Sequence, residues 1–291
     1  MSPELALALI TFGAAIINGA LGYGFSLLTV PLALLFLSNR VLSPAIVPIE
    51  VVLNAYVLYV NREALPRVWR RTLPLVIGLL PGVVLGTIIV SQMSIGWLKF
   101  GTYVVLVPLI FLQIAGYRRP IRAERSVGLA FGAGVGVLYS VTTISGPPLA
   151  LMLTNQGYTQ KDFRAALGFV RLAESSLTAI AYLSAGLYSA ESTSLIPYVL
   201  PSIFVGVPIG VQIIRRVEPD TFRRVCMSFN AWGVAFGLTR VLGEVGLVTS
   251  NAAYLVLGSV GTVDIWMLFR FFSARRKPDP ALRVEDDSTS D

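Results

Sequence analysis

The 291-residue sequence contains no histidine, one cysteine and few charged side chains. The absence of histidine excludes Ser-His and Cys-His nucleophiles, histidine metal sites and imidazole pH switches. The single cysteine, Cys226, cannot form an internal disulfide, and we interpret it as a small apolar side chain in a helix. The sequence also lacks a Gly-x-x-x-x-Gly-Lys-Ser/Thr loop, which excludes ATP binding through that motif.

Only 13% of the residues are charged, compared with about 25% in soluble domains. Hydrophobic residues make up 55% of the chain, and its mean hydropathy is +0.73. Several apolar runs exceed the roughly 18 residues that indicate a membrane-spanning helix. The sequence therefore predicts an all-α polytopic protein in the lipid bilayer. Its apolar segments are 5–37, 42–60, 73–92, 98–115, 127–154, 165–188, 195–214, 224–243 and 252–272.

Two of these segments contain residues that interrupt a helix. A continuous helix over 5–37 would be about 50 Å long, whereas the hydrocarbon core is about 30 Å thick. Glycine-rich residues at 18–24 interrupt this segment, and Ser-Gly-Pro-Pro at 145–148 interrupts segment 127–154. We predict that each segment forms a broken-helix hairpin, in which two short helices meet at a non-helical tip.

Three short matches indicate an internal duplication. Phe-Gly-Ala begins at 12 and 131, Pro-Leu-Ala-Leu begins at 31 and 148, and a Gly-x-x-x-Gly pair begins at 82 and 206. We interpret the Gly-x-x-x-Gly pairs as helix-packing faces. The predicted domains are a first membrane repeat at 1–120, a second repeat at 121–248, an extra transmembrane helix at 249–272 and a disordered tail at 273–291.

Basic residues predict the orientation, because Lys and Arg are enriched in cytoplasmic loops. Segments 61–72, 115–126 and 214–224 and the start of the tail are rich in arginine, whereas 187–196 has no Lys or Arg. The number of membrane crossings is consistent with cytoplasmic basic loops only if hairpin 127–154 enters from the cytoplasm and hairpin 5–37 enters from outside. This gives two inverted repeats, each a hairpin plus three helices, with the N-terminus outside and the C-terminus cytoplasmic. The basic loops also explain the pI of about 9.8 without nucleic acid.

The predicted tips are candidates for an anion site. Inverted repeats with broken helices are the architecture in which transporters bind substrate near the midplane. Each tip begins a new helix, whose free N–H groups and positive dipole end favour an anion. Ser145 is a predicted N-cap, and prolines follow it in the first turn. Alternatively, these glycines and prolines only permit tight packing or a kink.

Four charged residues fall within predicted spans: Glu50, Arg171, Glu174 and Asp264. Charges inside a membrane are costly and face the protein interior or a cavity. Arg171 and Glu174, three residues apart, could neutralise each other, or they could bind substrate and a proton. Arg171 offers a planar fork to an oxyanion, and Glu50 or Glu174 could carry a proton. Asp264 is interpreted as structural or as part of an assembly contact.

The glycine-rich stretch Gly19–Gly24, the following Pro31-Leu32 and the stretch Ser145–Pro148 resemble motifs of the sulfite exporter TauE/SafE family, over about residues 5 to 247. The resemblance implies a bacterial inner-membrane transporter of sulfite, sulfoacetate or related sulfur-containing or organic anions. The stretch Tyr139–Thr143 departs from the family, whose members are often richer in glycine there, and adds hydroxyl groups. The candidate substrate-binding residues are Gly22, Tyr23, Gly24, Phe25, Ser140, Thr143, Ser145, Gly146, Pro147 and Arg171.

The sequence thus favours a secondary transporter, an exporter, of a small anion. A passive anion channel is the alternative, since it would use the same residues. An intramembrane enzyme and a structural membrane subunit fit less well, because the first lacks a catalytic set and the second needs no buried charges. No cofactor or metal is expected. Assembly into a homo-oligomer stays open.

The predicted orientation can be tested by cysteine labelling in a variant in which Cys226 is replaced by Ala. Ser189→Cys, in the loop without basic residues, should react with an impermeant thiol reagent added outside intact cells. Ser126→Cys, beside a basic loop, should react only after the membrane is opened. Labelling of both positions from the same face would contradict the inverted arrangement.

Overall fold

The computed structural model describes residues 2–115, 125–154, 158–248 and 250–275. Within these ranges the chain is helical and contains no β-strand, which confirms the predicted all-α class. The helices are α1 (Pro3–Leu21), α2 (Phe25–Ala33), α3 (Asn39–Val60), α4 (Leu65–Gln92), α5 (Ile95–Ala115), α6 (Arg125–Thr142), α7 (Gly146–Thr154), α8 (Gln160–Ser184), α9 (Ala190–Ile213), α10 (Pro219–Glu244) and α11 (Ser250–Arg275), with a 3₁₀ turn at Arg62–Ala64.

Seven of the described helices are long and apolar enough to cross a membrane: α1, α3, α4, α8, α9, α10 and α11. Shorter apolar stretches cover Ile95–Phe111 in α5 and Val127–Thr142 in α6. Large apolar side chains on the outer surface agree with a lipid environment, since Leu255 and Phe269 on α11 are 74% and 72% exposed. The chain is therefore a multi-pass membrane protein.

Helix α4 begins eight residues before the predicted span at 73. Arg67, Arg70 and Arg71 thus lie on its first turns and not in a loop. Pro66 fits the first turn of a helix, where its missing N–H costs nothing, and arginine is a good helix former. Hydropathy alone places the start of the helix too late because it penalises these basic residues. Part of the predicted basic loop at 115–126 and most of the predicted tail lie outside the described residues, and α11 continues to Arg275.

Contacts between helices that are far apart in the sequence dominate the packing. Helix α1 packs along α9, and α4 packs along α6. A Cβ atom on Gly82 would lie 2.1 Å from the carbonyl oxygen of Ala133, and one on Gly210 would lie 1.9 Å from that of Ile16. Only glycine allows this backbone approach, so the predicted packing role of the Gly-x-x-x-Gly pairs is confirmed.

Two further helix pairs run antiparallel. Along α3 and α8, Gly168 contacts Leu58, while Arg171, further along α8, contacts Glu50, earlier on α3. Along α5 and α10, Lys99 lies 3.7 Å from Glu244. The Tyr103 ring, one turn further along α5, packs against Gly237, which lies two turns before Glu244 on α10. In each pair, contacts closer to the C-terminus of one helix are closer to the N-terminus of the other, so the two helices are antiparallel.

In the pairs α4 with α6 and α1 with α9, successive contacts move towards the C-terminus of both helices. On α4 and α6, Gly78 meets Leu129 and Gly86 meets Ser140. On α1 and α9, Gly206 meets Phe12 and Gly210 meets Ala20. These two pairs are therefore parallel.

Two of the three sequence matches do not coincide with equivalent structural positions. The interruption between α1 and α2 and that between α6 and α7 lie 121 residues apart, as Phe25 and Gly146 begin α2 and α7. The Phe-Gly-Ala and Pro-Leu-Ala-Leu matches are offset by 119 and 117. Pro31 consequently lies late in α2, whereas Pro148 lies in the first turn of α7. These two matches therefore do not fall at equivalent positions relative to the interruptions, and the duplication stays a prediction.

Asp264 is a structural residue that joins α11 to α10. Its Oδ1 atom accepts hydrogen bonds from Arg224 at 3.1 Å and Ser228 at 3.0 Å, and Arg224 also donates to the Asp264 carbonyl oxygen. Both charged side chains are buried. Arg224 belongs to the predicted cytoplasmic basic segment, but its charge neutralises Asp264 inside the protein.

Two glycines on α6 provide a matched test of the packing. A Cβ on Gly132 would lie 2.2 Å from the carbonyl oxygen of Leu75, whereas a Cβ on Gly134 meets nothing within 4 Å. We expect Gly132→Ala to lower stability by about 1–3 kcal/mol through overpacking. Gly134→Ala should be neutral or stabilising by up to about 1 kcal/mol, because alanine is the better helix former. Melting temperatures of the purified variants measure both effects, and equal values would contradict the backbone contact.

Candidate functional site

The first tip comprises residues 22–24, between α1 and α2. Gly22 and Gly24 have φ values of 82° and 111°, which side chains other than glycine rarely adopt. The Gly22 N–H donates to the Asn18 carbonyl oxygen at 2.7 Å and closes the last turn of α1. Both glycines are therefore required by the backbone, and the predicted interruption at 18–24 is confirmed at its C-terminal end.

The second tip comprises residues 143–145, between α6 and α7. The predicted helix start after Ser145 is confirmed, because Gly146, Pro147 and Pro148 form the first turn of α7, and the non-helical residues extend back to Thr143. Thr143 has φ = 57° and is the one non-glycine residue in the left-handed region among the described residues. Holding a β-branched residue there costs about 1–3 kcal/mol, and such strain concentrates at functional sites. The Thr143 N–H donates to the Tyr139 carbonyl oxygen at 2.6 Å.

The two tips meet inside the protein. A Cβ on Gly146, at the start of α7, would lie 3.4 Å from the Cβ of Tyr23 in the first tip. Tyr23 is buried, as are Ser145 and Pro147. The structure thus brings together the two segments that the sequence predicts to be non-helical.

Each tip places a serine against a buried glutamate. The Ser26 hydroxyl, in the first turn of α2, donates to Oε1 of Glu50 on α3. The Ser145 hydroxyl, immediately before α7, donates to Oε2 of Glu174 on α8. Both glutamates are 0% exposed. Glu50 and Glu174 are therefore parts of the two tips as well as of their own helices.

Arg171 contacts Glu50 and so joins α8 to α3. Its Nη2 atom lies 2.7 Å from Oε1 of Glu50, and both side chains are buried. The Tyr139 hydroxyl donates to Oε2 of the same glutamate at 2.6 Å. The described ion pair of Arg171 is thus with Glu50, 121 residues away in the chain, and not with neighbouring Glu174. Glu174 lies only three residues from Arg171, but its described hydrogen bond goes to Ser145.

Two polar atoms of this site are buried without a hydrogen-bond partner among the described residues. They are Nε of Arg171 and Oε1 of Glu174. Buried polar atoms are nearly always paired in proteins, so the Nε–H of Arg171 is left to donate to a further group and Oε1 of Glu174 to accept a hydrogen bond or a proton. With both glutamates ionised and Arg171 protonated, the three groups together carry a charge of −1. We call Glu50, Arg171 and Glu174, with Ser26, Tyr139 and Ser145, the charged cluster.

The two helix starts differ in the donors they present. The N–H groups of Phe25, Ser26 and Leu27 precede the first helical hydrogen bond of α2, and no side chain caps this helix. In α7, Pro147 and Pro148 have no N–H to offer. The start of α7 therefore has fewer free backbone donors than the start of α2, and anion binding at the two helix starts stays a prediction.

The remaining predicted site residues have other contacts. The Ser140 and Thr178 hydroxyls lie 3.4 Å apart, and the Ser140 carbonyl oxygen accepts from Tyr182. The Thr143 hydroxyl donates to the Thr142 carbonyl oxygen at 2.7 Å. The Phe25 side chain belongs to an apolar core cluster. Sequence reasoning missed Ser26, which carries no local signal, and recognised Tyr139 only as an additional hydroxyl group.

No group of three or more Cys, Asp or Glu side chains in the described ranges could hold a metal ion. The charged cluster contains two carboxylates and one guanidinium.

Comparison with known proteins adds one finding. A family model described as sulfite exporter TauE/SafE matches residues 7–236. No curated protein and no solved structure matches the chain. The matched range contains both tips and the whole charged cluster and ends before α11.

The Arg171–Glu50 pairing can be tested by exchanging charged for apolar side chains. Arg171→Met should cost about 3–5 kcal/mol of stability, because it leaves Glu50 charged and buried without its partner. Combining it with Glu50→Leu should recover most of the loss, whereas combining it with Glu174→Leu should not. Thermal unfolding of the purified variants measures these differences. Equal recovery in both double variants would contradict a specific pair.

Proposed function

Because the chain belongs to the sulfite exporter TauE/SafE family, which is a transporter family and not an enzyme family, we propose that it exports a small sulfur-containing or organic anion such as sulfite or sulfoacetate. Export would proceed as secondary transport across the bacterial inner membrane. The observation that carries the proposal is Arg171, a buried guanidinium that holds a carboxylate where two helix breaks meet. A group that binds an internal oxyanion can bind a transported one in the same way.

The proposed architecture is a pair of inverted repeats at 1–120 and 121–248. The antiparallel contacts of α3 with α8 and of α5 with α10 support it, because a two-fold axis in the membrane plane reverses each helix relative to its counterpart. The pairs α1 with α9 and α4 with α6 also support it, because such an axis would convert one of these pairs into the other. The basic residues then give an outside N-terminus and a cytoplasmic C-terminus.

In the proposed mechanism the anion replaces Glu50 on Arg171. Glu50 then loses its ion pair but keeps the hydrogen bonds from the Ser26 and Tyr139 hydroxyls, and the anion takes over the neutralisation of Arg171. The unpaired Nε atom of Arg171 allows a second hydrogen bond to the incoming anion. Glu50 thus competes with the transported anion for Arg171, and it neutralises Arg171 when no anion is bound.

A proton accompanies the anion in this proposal. The charged cluster carries −1 when its groups are ionised, so an added anion increases the negative charge inside the membrane. Glu174 is the better proton carrier of the two glutamates, because its Oε1 atom has no donor, whereas Glu50 accepts three hydrogen bonds. A dianion exported with one proton carries a net negative charge outwards, and a membrane potential that is negative inside drives this movement by about 2.3 kcal/mol per 100 mV.

Two variants test the proposal in proteoliposomes. Arg171→Lys should weaken sulfite binding about ten- to a hundredfold, because lysine lacks the planar fork. Glu174→Gln should still bind sulfite, but its transport rate should no longer respond to a proton gradient. Sulfite uptake at several pH gradients, together with binding by the purified protein, measures both effects.

Arg224→Lys is the matched control, since it makes the same replacement in the buried pair remote from the tips. It should leave sulfite affinity unchanged. A protein that binds neither sulfite, sulfate, thiosulfate, sulfoacetate nor simple carboxylates would contradict the proposed substrate class, and uptake that ignores every imposed gradient would favour a passive channel.

A further inference from the structure

An open apolar groove of about 390 Å³ lies where the first turns of α4 pack beside α8. Its described walls are Leu65, Pro66 and Trp69 on α4 and Phe169 on α8. Pro66 and Trp69 are exposed, so the groove opens on the outer surface of the helices. A groove with apolar walls offers water no hydrogen-bond partners, and at the surface of a membrane protein it is filled by hydrocarbon.

The groove begins at the level where the membrane meets water. Trp69 precedes the apolar run 73–92 of α4, and tryptophan is enriched at membrane–water interfaces. Phe169 lies nine residues after Gln160, the first residue of α8, which is about 13 Å along the helix axis. The groove therefore extends from the head-group region towards the acyl chains. In the proposed orientation this is the cytoplasmic leaflet.

Arg70 places a positive charge at this groove. Its Cζ atom lies 5.3 Å from the centre of the Trp69 ring, which is one wall of the groove. The Arg70 side chain is exposed, and it makes no ion pair or hydrogen bond with the described residues. Stacking on the ring holds the guanidinium at the edge of the groove, and its free donors suit a phosphate group.

Two neighbouring arginines already have partners. Nη2 of Arg67 lies 2.8 Å from Oδ1 of Asp162, and Nη1 of Arg62 donates to the Tyr59 carbonyl oxygen at 3.2 Å. The segment 61–72 contains four arginines and one glutamate, so this end of the protein has an excess of positive charge. That excess is complementary to anionic head groups, which the cytoplasmic leaflet supplies.

We propose that the groove binds an anionic phospholipid, with the phosphate on Arg70 and one acyl chain against Trp69 and Phe169. The apolar walls select a lipid over a free phosphate ion. The unpaired guanidinium selects an anionic head group over a zwitterionic one, whose own cation offsets the phosphate charge. The site is separate from the charged cluster and does not depend on the transport function. Only the assignment to the cytoplasmic leaflet rests on the proposed orientation.

Tryptophan fluorescence tests the site, because bromine on an acyl chain quenches a tryptophan only at close range. A protein that retains Trp69, with Trp97, Trp232 and Trp266 replaced by Phe, is reconstituted with equal fractions of brominated phosphatidylglycerol or brominated phosphatidylcholine. Quenching should show that phosphatidylglycerol binds at Trp69 about fivefold more strongly, the effect of one arginine on an anionic lipid. Arg70→Gln should reduce this preference to about one without changing the melting temperature in detergent, because the side chain is exposed.

Trp266 on α11 is the matched control. Cζ of Arg270 lies 5.0 Å from the centre of its ring, so it has a stacked arginine as Trp69 does, but it is not among the groove walls. A protein that retains only Trp266 should show a preference for phosphatidylglycerol of less than twofold. A preference near one at Trp69, or equal preferences at both positions, would overturn the lipid site. Protection of Trp69 from both brominated lipids would also overturn it and would indicate that a second copy of the protein covers the groove.

Discussion

The ion pair between Arg171 and Glu50 constrains more of this molecule than any other described contact. Neither charge could be inserted into a membrane at acceptable cost without a partner, and each lies on a different helix. Glu50 also accepts from Ser26 on α2 and from Tyr139 on α6. A single carboxylate therefore ties a half-helix of the first hairpin, a half-helix of the second and two long helices to one another. The helices that flank both tips are therefore joined through that carboxylate.

The tips are similar in plan but not in chemistry. The first has glycines at its left-handed positions and leaves three amide donors open at the start of α2. The second holds a strained Thr143 and begins α7 with two prolines that cannot donate. Negative charge is also distributed unequally, because Glu174 at the second tip retains a carboxylate oxygen without a donor. In the proposed function these differences favour an anion at the first tip and a proton at the second.

Much of this arrangement could be predicted from the sequence, because hydropathy, helix breakers and intramembrane charge act locally or through composition. The helical membrane fold, the two interruptions and Glu50, Arg171 and Glu174 all belong to that class. The partner of Arg171 could not be predicted, since helical spacing points to Glu174, whereas the actual contact spans 121 residues. Ser26 was missed for the same reason: a serine near a helix start is unremarkable until the fold places it beside a carboxylate.

A comparison of the two buried ion pairs shows why surroundings decide their roles. Arg224 and Asp264 are as buried as Arg171 and Glu50. Arg224 uses two nitrogens on Asp264, one on the side chain and one on the backbone, within continuous helices. Arg171 donates through one described nitrogen and lies where two helices are broken. Exchanging the partner of Arg224 would remove a polar link between α11 and α10, whereas Glu50 retains two hydroxyl donors if Arg171 leaves. In our proposal, a buried ion pair can take part in transport only where each charged group has an alternative partner when the pair separates.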